Sequence, residues 1–478
     1  MTDAVLSSQA QHRRAGSRVV AAAASPMHLA PPLLIAATTL VLGVFRHGAI
    51  LPADRPALVI PILAVGGVWL GAMVVLRRRL PHPLRGFSRP GRMALTGLIA
   101  LSLLSLLSVS WSLAPGRSLW WALVYACAVV SFYGGRALWR TAVLGTPLLI
   151  LALAGVGALV CWVSIVGYSL DWPSWVGSIG EVTHALGPFG YANGLASFIT
   201  LTLPASIWLT LDGRAGWPVR LLAAGSAVLQ LWAMWLTHSR GAVGALAGAT
   251  VLLALVPSVR AIRDLRSVRI RGALLVAAVV GLAAVLTASA AFGWQRIGPV
   301  VLGPDVKVVS PTGALPEHVA GVTIKPMTAD GYRVNTWIAA AKAVQRKPIA
   351  GWGADTFFEA YGPFKPGGQT RFAHNVVVQH AVELGLLGSA ALALLAVGAV
   401  AACIATAARS PFRHPATYAG ISVIAFLVHN LADLTWYIPA LLFFFAFCLG
   451  AVAVVPDPTR RTREISGSTH PNSNDDGR

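Results

Sequence analysis

Residues 371–406 read RFAHNVVVQHAVELGLLGSAALALLAVGAVAACIAT, and they pass from polar side chains into an almost continuous apolar run. Arg371, His374 and Asn375 stand at the start, and Glu383 is the only charged residue after 381. About 20 apolar residues, at 1.5 Å each, are enough to cross the hydrocarbon core of a bilayer, which is about 30 Å thick. The stretch therefore predicts a membrane-spanning helix that begins beside a cluster of polar groups.

Similar apolar runs recur along the whole chain of 478 residues, which is 56% hydrophobic and only 11% charged. A soluble globular domain carries about 25% charged residues. The sequence therefore predicts an all-α polytopic membrane protein with about 12 transmembrane helices. The predicted spans are residues 29–45, 56–76, 93–113, 118–135, 142–168, 190–211, 219–237, 241–259, 272–293, 382–406, 416–434 and 437–456.

The distribution of basic residues predicts the orientation of these spans. Arginine and lysine concentrate in every second short loop and in both tails, as in the positive-inside pattern of membrane insertion. This distribution accounts for the net charge of +20 and argues against a nucleic-acid partner. Both termini are predicted to be cytoplasmic, and one long loop is predicted to be extracytoplasmic. The predicted parts are a disordered tail at 1–28, nine spans at 29–293, the long loop at 294–375, three spans at 376–456 and a disordered tail at 457–478.

The long loop divides into two parts. Residues 295–328 are rich in Val, Gly and Pro and are predicted to be extended or irregular. From Asp330, apolar residues recur at helical spacing until Lys347 and Pro348, with Asp330 as the predicted N-cap. The pattern predicts an amphipathic helix that lies on the membrane surface or packs against the helix bundle.

Two arginines of this face are candidate anion ligands. Arg240 lies in the short break His238-Ser239-Arg240-Gly241, which predicts an antiparallel pair of the seventh and eighth spans. Arg333, in the sequence Tyr332-Arg333, lies near the start of the amphipathic helix, where free N–H groups favour an anion. Each arginine could grip a phosphate through its planar guanidinium. Each could equally anchor or solvate its helix at the membrane interface.

His374 is the candidate proton acceptor, because its ordinary pKa of about 6.5 suits a general base. A purely structural histidine is the alternative interpretation. His380 and Glu383 lie one helical turn apart and could pair with each other, in a structural role or to orient a site. Arg371, Asn375, His238 and Tyr332 are candidates by their proximity to these residues.

Metal ligands are missing from the predicted outer face. The first outer loop, 46–55, holds a lone Asp54, and no outer loop shows an Asp-X-Asp motif. The spans hold almost no Asp or Glu, so neither an acidic Mg²⁺ site nor an ion-coupled carboxylate relay is indicated. The four cysteines lie inside apolar runs and predict no disulfide. Arginines with one histidine suit a diphosphate-bearing lipid and a general base, with no metal and no cofactor.

Four short motifs carry a resemblance to a known family. They are Gly187-Pro188-Phe189-Gly190-Tyr191-Ala192-Asn193-Gly194, His238-Ser239-Arg240-Gly241, Arg333 and Trp337 upstream of Pro348-Ile349-Ala350-Gly351-Trp352-Gly353, and His374-Asn375 with Glu383-Leu384-Gly385-Leu386-Leu387-Gly388. In this order the chain resembles the O-antigen ligase family and the related lipid-linked polysaccharide polymerases. The motifs cover roughly residues 185–440.

The resemblance implies a metal-independent, inverting glycosyltransferase of the large membrane-embedded class, with a GT-C-like architecture. It implies an undecaprenyl-type polyprenyl-diphosphate-linked glycan as donor, and a lipid or glycan acceptor such as lipopolysaccharide. The reaction would take place at the extracytoplasmic face of the bacterial inner membrane, in cell-envelope polysaccharide biosynthesis. In that family's pattern, Arg240 and Arg333 match diphosphate-binding arginines and His374 matches the proposed base, whereas Arg371 has no role to transfer.

Three other functions stay open at this point. A polymerase of the same family would extend a repeat-unit chain, and the motifs do not separate it from a ligase. An anion or solute transporter could use the outer arginines as a vestibule, although paired internal repeats are not visible. A scaffold of a polysaccharide assembly complex would tolerate the loss of both arginines.

Overall fold

The structure is a computed structural model that describes residues 26–75, 87–140, 145–179, 182–261, 318–319, 322–323, 329–365, 370–409 and 414–453. The predicted ninth span, most of the irregular part of the long loop, the C-terminal tail and nearly all of the N-terminal tail lie outside the described residues.

The described chain is mostly helical. We number its helices α1 Pro26–Thr38, which runs on through a wider turn at Thr39–Val44, α2 Arg55–Val75, α3 Arg89–Ser108, α4 Pro115–Arg140, α5 Gly145–Ser169, α6 Ala192–Leu211, α7 Trp217–Thr237, α8 Arg240–Ala261, α9 Ala329–Arg346, α10 Phe357–Tyr361, α11 Val376–Arg409, α12 Pro415–His429 and α13 Pro439–Val452.

Two short antiparallel hairpins add to the all-α prediction. The strands β1 (Val176–Ile179) and β2 (Val182–Ala185) pair between α5 and α6, with Gly177 opposite His184. A smaller hairpin joins β3 (His318–Val319) to β4 (Val322–Thr323). The fold is therefore mainly but not entirely α-helical.

Seven of the described helices are long and apolar enough to cross a membrane, and four shorter apolar helices accompany them. Together these segments coincide with eleven of the twelve predicted spans, and the remaining prediction, 272–293, lies outside the described residues. The chain is a multi-pass membrane protein. The count of 12 spans, their orientation and the GT-C-like architecture stay predictions.

The shortest of these helices, α13, is the centre of the bundle. All of its residues are buried, although it is too short to count among the seven long spans. A helix that is apolar on every side is buried on every side. Its closest neighbour is α4, where Gly135 and Gly450 let the two backbones approach so closely that a side chain at either position would overlap the partner helix.

The predicted close pair of the seventh and eighth spans is wrong in one respect. Only His238 and Ser239 separate α7 from α8, but the two helices pack against different neighbours. Helix α7 packs on α5 and α6, whereas α8 packs on α11 and α12. The left-handed backbone of His238, with φ of +53°, makes the turn that separates them.

The motifs at residues 348–353 and 383–388 pack directly against each other. Helix α11 is broken at Gly385, whose φ of +64° and ψ of −154° are open to glycine alone. At this break the amides of Leu386 and Leu387 donate to the carbonyls of Pro348 and Ile349, at 2.8 and 3.2 Å. The glycines therefore let the two backbones dock, and the docked loop connects α9 to the N-terminal part of α11.

We expect Gly385→Ala to destabilise the protein, because a Cβ would overlap the Ile349 carbonyl and would force a strained backbone. Backbone strain of this kind costs on the order of 1–3 kcal/mol. The measurement is the Tm of the purified, detergent-solubilised protein. Gly71→Ala is the matched control, because no heavy atom lies within 4 Å of the added methyl group. Equal Tm values for the two variants would contradict the expected strain.

Candidate functional site

His374 lies in a tight turn immediately before α11. Its φ of +51° places it in the left-handed region, which is unusual for a residue with a side chain. Asn375 caps the helix: its side-chain oxygen accepts the amides of Val377 and Val378, at 2.9 and 3.0 Å. The structure therefore gives Asn375 a structural role, as the N-cap of α11.

The loop at 430–434 faces this turn. The Val376 amide donates to the Asn430 carbonyl at 2.9 Å, and the Asn375 amide group donates to the Leu431 carbonyl at 2.8 Å. These bonds tie the start of α11 to the link between α12 and α13. They bring Asp433, from the far end of the sequence, to the side of His374.

Asp433 is held rigidly as an acceptor. Its carboxylate accepts the Tyr191 hydroxyl at 2.8 Å, the Leu434 amide at 2.7 Å and the side-chain amide of Asn193. Tyr191 and Asn193 lie at the start of α6 and belong to one of the four resemblance motifs. Nothing in the sequence indicated the contact between Asn193 and Asp433, because these residues are 240 positions apart.

The environment of His374 favours the neutral imidazole. Burial lowers the pKa of His374, the Asp433 carboxylate opposes this effect, and the Arg333 guanidinium adds to it. Its Nδ1 atom is buried and has no hydrogen-bond partner among the described residues. A neutral imidazole that has a ring nitrogen without a hydrogen-bond partner can accept a proton, and a nearby carboxylate can then stabilise the cation.

Arg333 approaches His374 from α9. This helix begins at Ala329, so the predicted N-cap Asp330 lies inside its first turn, and Arg333 follows Tyr332 near its N-terminal end. Arg333 is half-buried and close enough to act on the pKa values of both His374 and Tyr191. The structure therefore brings this predicted arginine to the predicted histidine.

Arg240 is the first residue of α8 and is exposed. The adjacent Gly241 lies against α12, where an added Cβ would sit 3.3 Å from the His429 ring. His429 in turn contacts the Ser197 hydroxyl at 2.6 Å and comes four residues before Asp433. Arg240 thus begins the helix that packs beside the His374 and Asp433 loops.

A second histidine, His184, accompanies Arg240 and was not predicted. Its ring lies 5.2 Å from that of His238, and its Nδ1 atom is 3.1 Å from the Thr237 carbonyl. Partial desolvation lowers the pKa of His238, and His184 and Arg240 lower it further. The alternation of apolar and polar residues in β1 and β2 was the sequence signal that could have located His184 on a hairpin.

Arg371 has a partner that the sequence did not indicate. Its guanidinium lies 3.7 Å from the Asp355 carboxylate, which also pairs with the buried Arg55 at 3.2 Å. Asp355 follows the glycine motif of the long loop and has a left-handed φ of +56°. This shared carboxylate links the N-terminal end of α2 to the loop beside His374.

The predicted pairing of His380 with Glu383 is wrong. His380 contacts the Tyr125 hydroxyl and the Val376 carbonyl, both at 2.8 Å, whereas Glu383 accepts the side-chain amide of Gln379 at 2.8 Å. The Tyr437 hydroxyl lies 3.3 Å from each of the two residues and bridges them. Both groups therefore have other partners, partly within α11 and partly from Tyr125 and Tyr437.

Metal ligands do not gather in the part of the chain that the structure describes, since no group of three or more His, Cys, Asp and Glu side chains is placed to hold an ion there. The four cysteines are buried free thiols.

Comparison with known families gives one match: residues 225–393 fit the model of the family described as O-antigen ligase. This part of the chain is therefore similar to the O-antigen ligase family. This match confirms the resemblance predicted from the motifs, and the matched residues include Arg240, Arg333 and His374. Tyr191 and Asp433 lie outside the matched O-antigen ligase residues and join the site only through the fold. Comparison with curated proteins gave no match.

Proposed function

We propose that the protein is a glycosyltransferase that moves a glycan from a polyprenyl-diphosphate carrier to an acceptor hydroxyl. The observation that carries the proposal is the environment of His374, whose pKa is affected by both Asp433 and Arg333, in a chain whose residues 225–393 match the O-antigen ligase family. The proposed place is the extracytoplasmic face of the bacterial inner membrane, with both termini in the cytoplasm. The reaction is proposed to invert the anomeric carbon and to need neither a metal nor a cofactor.

Arg240 and Arg333 are proposed to bind the diphosphate of the donor. A diphosphate leaves as negative charge grows on its bridging oxygen, and fixed guanidinium groups stabilise that charge most strongly in the transition state. A guanidinium also matches two phosphate oxygens at once. His238 and Tyr332, the neighbours of these arginines in the chain, stay candidates for contacts with the same group.

His374 is proposed to act as the general base. The acceptor oxygen forms a bond to C1 of the sugar, its proton moves to the His374 imidazole, and the bond from C1 to the diphosphate oxygen breaks. The carrier diphosphate departs with the electron pair of that bond. Asp433 then faces the imidazolium that has formed, and the opposite charges stabilise it.

The decisive experiment compares lipid carriers and surface glycans, by mass spectrometry, in cells with and without the gene. Long lipid-linked polymers that accumulate without attachment support a ligase, whereas accumulated single repeat units support a polymerase of the same family. Unchanged glycans together with lost anion uptake would replace the proposal with a transporter. With purified protein, inhibition by EDTA that Mg²⁺ reverses would contradict metal independence.

We expect Asp433→Asn to lower the rate and to shift its pH profile. The carboxylate raises the pKa of His374, so its removal lowers that pKa and moves the acidic limb of kcat/KM to lower pH. The rate should fall roughly tenfold, since about 1.4 kcal/mol of lost charge stabilisation of the imidazolium corresponds to a factor of ten in rate. The measurement is glycan transfer by purified protein across the pH range.

Asp54→Asn is the matched control for this prediction. Asp54 also lies beside a histidine, with its carboxylate 3.8 Å from His47, but in the loop between α1 and α2. The Asp54→Asn variant should keep the wild-type rate and the wild-type pH profile. An Asp433→Asn profile that overlays the wild-type profile would contradict the proposed charge pairing.

A further inference from the structure

Ala373, the residue before His374, is held at both of its backbone polar atoms by side chains. Its amide donates to the Gln379 side-chain oxygen at 3.0 Å, and its carbonyl accepts the Trp337 indole N–H at 2.8 Å. Ala373 itself is only 1% exposed. We call these two contacts the Ala373 clamp.

The two sides of the clamp come from the two elements that carry the proposed reacting groups. Trp337 lies on α9, four residues after Arg333, so the two residues share one face of that helix. Gln379 lies in the first turn of α11, directly after His374. The clamp is therefore a direct bond between the helix of the arginine and the turn of the histidine.

The orientation of Gln379 is fixed by its other contacts. Its amide nitrogen donates to Glu383 at 2.8 Å, and Glu383 also accepts the Tyr437 hydroxyl at 3.3 Å. Because the Ala373 N–H can only donate, its partner on Gln379 is the amide oxygen, which leaves the amide nitrogen to face Glu383. The buried Glu383, one of the candidate residues from the sequence, thus fixes the orientation of the Gln379 side chain in the clamp.

The apolar contacts between α9 and α11 do not replace these bonds. They form a small cluster in which alanines of α9 meet α10 and the start of α11, with the members Ala339, Ala340, Ala343, Phe357, Ala360, Tyr361, Ala373 and Val382. Alanine faces pack closely but allow one helix to slide along another. A directional hydrogen bond at the His374 end prevents that sliding.

We propose that Trp337 and Gln379 are positioning residues, which hold the left-handed turn of His374 at a fixed distance from Arg333 through the Ala373 clamp. The inference rests on the proposed transferase function. A base and a phosphate ligand must be set to within a fraction of an ångström, and a displacement of about 1 Å can cost about a hundredfold in rate.

The test is Trp337→Phe, which keeps an aromatic ring and removes the N–H donor. We expect kcat for glycan transfer to fall about tenfold or more, with KM for the donor lipid changed much less. Trp352→Phe is the matched control, because the Trp352 indole N–H also donates to a main-chain carbonyl, that of Ala343, at 2.9 Å. Both variants should be purified with the same Tm, so that a general loss of folding is excluded.

Two further readouts separate positioning from a general structural effect. In Trp337→Phe, His374 should be less buried and farther from Arg333, and both changes raise the pKa of His374. The acidic limb of kcat/KM should therefore move to higher pH. Hydrogen exchange of the Ala373 amide should become faster in Gln379→Met and in Trp337→Phe, but not in Trp352→Phe. This exchange is measured by mass spectrometry on protein in lipid nanodiscs.

The outcomes distinguish a failure of the proposed transferase function from a failure of the Ala373 clamp. Wild-type protein that transfers no glycan would overturn the proposed function, while the exchange experiment would still test the clamp. Active wild-type protein with Trp337→Phe indistinguishable from Trp352→Phe in kcat, pH profile and exchange would overturn the clamp alone.

Discussion

His374→Ala is expected to abolish glycan transfer while the protein still inserts, folds and binds its donor lipid. A positioned general base contributes about 10²–10⁴-fold to a proton transfer of this kind. Burial lowers the pKa of His374 and so favours its neutral form, which is the form that can accept a proton. Loss of the imidazole should therefore appear in kcat, with little change in the binding of the carrier.

The measurement is single-turnover transfer from a polyprenyl-diphosphate-linked glycan by protein in lipid vesicles. His47→Gln is the matched control, since His47 also has a positive φ and a nearby carboxylate but lies outside the proposed site. Its activity should match the wild type. Substantial transfer by His374→Ala at neutral pH would remove the base from the proposed mechanism and leave only the arginines.

Residue type and motif were enough to predict His374, Arg333 and Arg240 as candidates, because each stands at the boundary of an apolar run. The sequence could not locate their partners. Asp433 and Tyr191 reach the site from positions 242 residues apart, and only the packing of α6 against α12 brings them together. Contacts of this range leave no periodic signal in a single sequence.

Local spacing also misled the prediction in one place. His380 and Glu383 have helical spacing for a pair, and one face of an isolated helix would allow it. In the buried core, the two residues have other hydrogen-bond partners: His380 contacts Tyr125, and Glu383 accepts from Gln379 and Tyr437. Burial decides such cases, since each polar group must find a partner and the nearest one in sequence is not always the best placed.

The helix boundaries were more predictable than the helix packing. Apolar run length gave most spans to within a few residues, because the bilayer sets the length. The same runs gave no sign that α13 is central and α7 peripheral, since both are apolar. The difference lies in the small residues that permit close approach, such as Gly135 and Gly450, whose significance depends on the facing helix.

Arg333→Lys and Arg240→Lys are each expected to lower kcat/KM by about 10–100-fold, although the positive charge is kept. A lysine is a point charge and cannot hold two phosphate oxygens in one plane, so it loses one of two charge-assisted hydrogen bonds. Such a bond contributes about 1.5–3 kcal/mol, and each 1.4 kcal/mol is a factor of ten in rate. Transfer is measured over a range of donor concentrations, to separate kcat from KM.

Arg346→Lys is the matched control, because Arg346 is an exposed residue in the last turn of the same helix as Arg333. The double variant of Arg240 and Arg333 gives the sharpest result. Two arginines that grip one diphosphate act as a unit, so the combined loss should differ from the product of the single losses. Independent, multiplying losses would instead place the two guanidinium groups on separate anions, with only one of them at the bond that breaks.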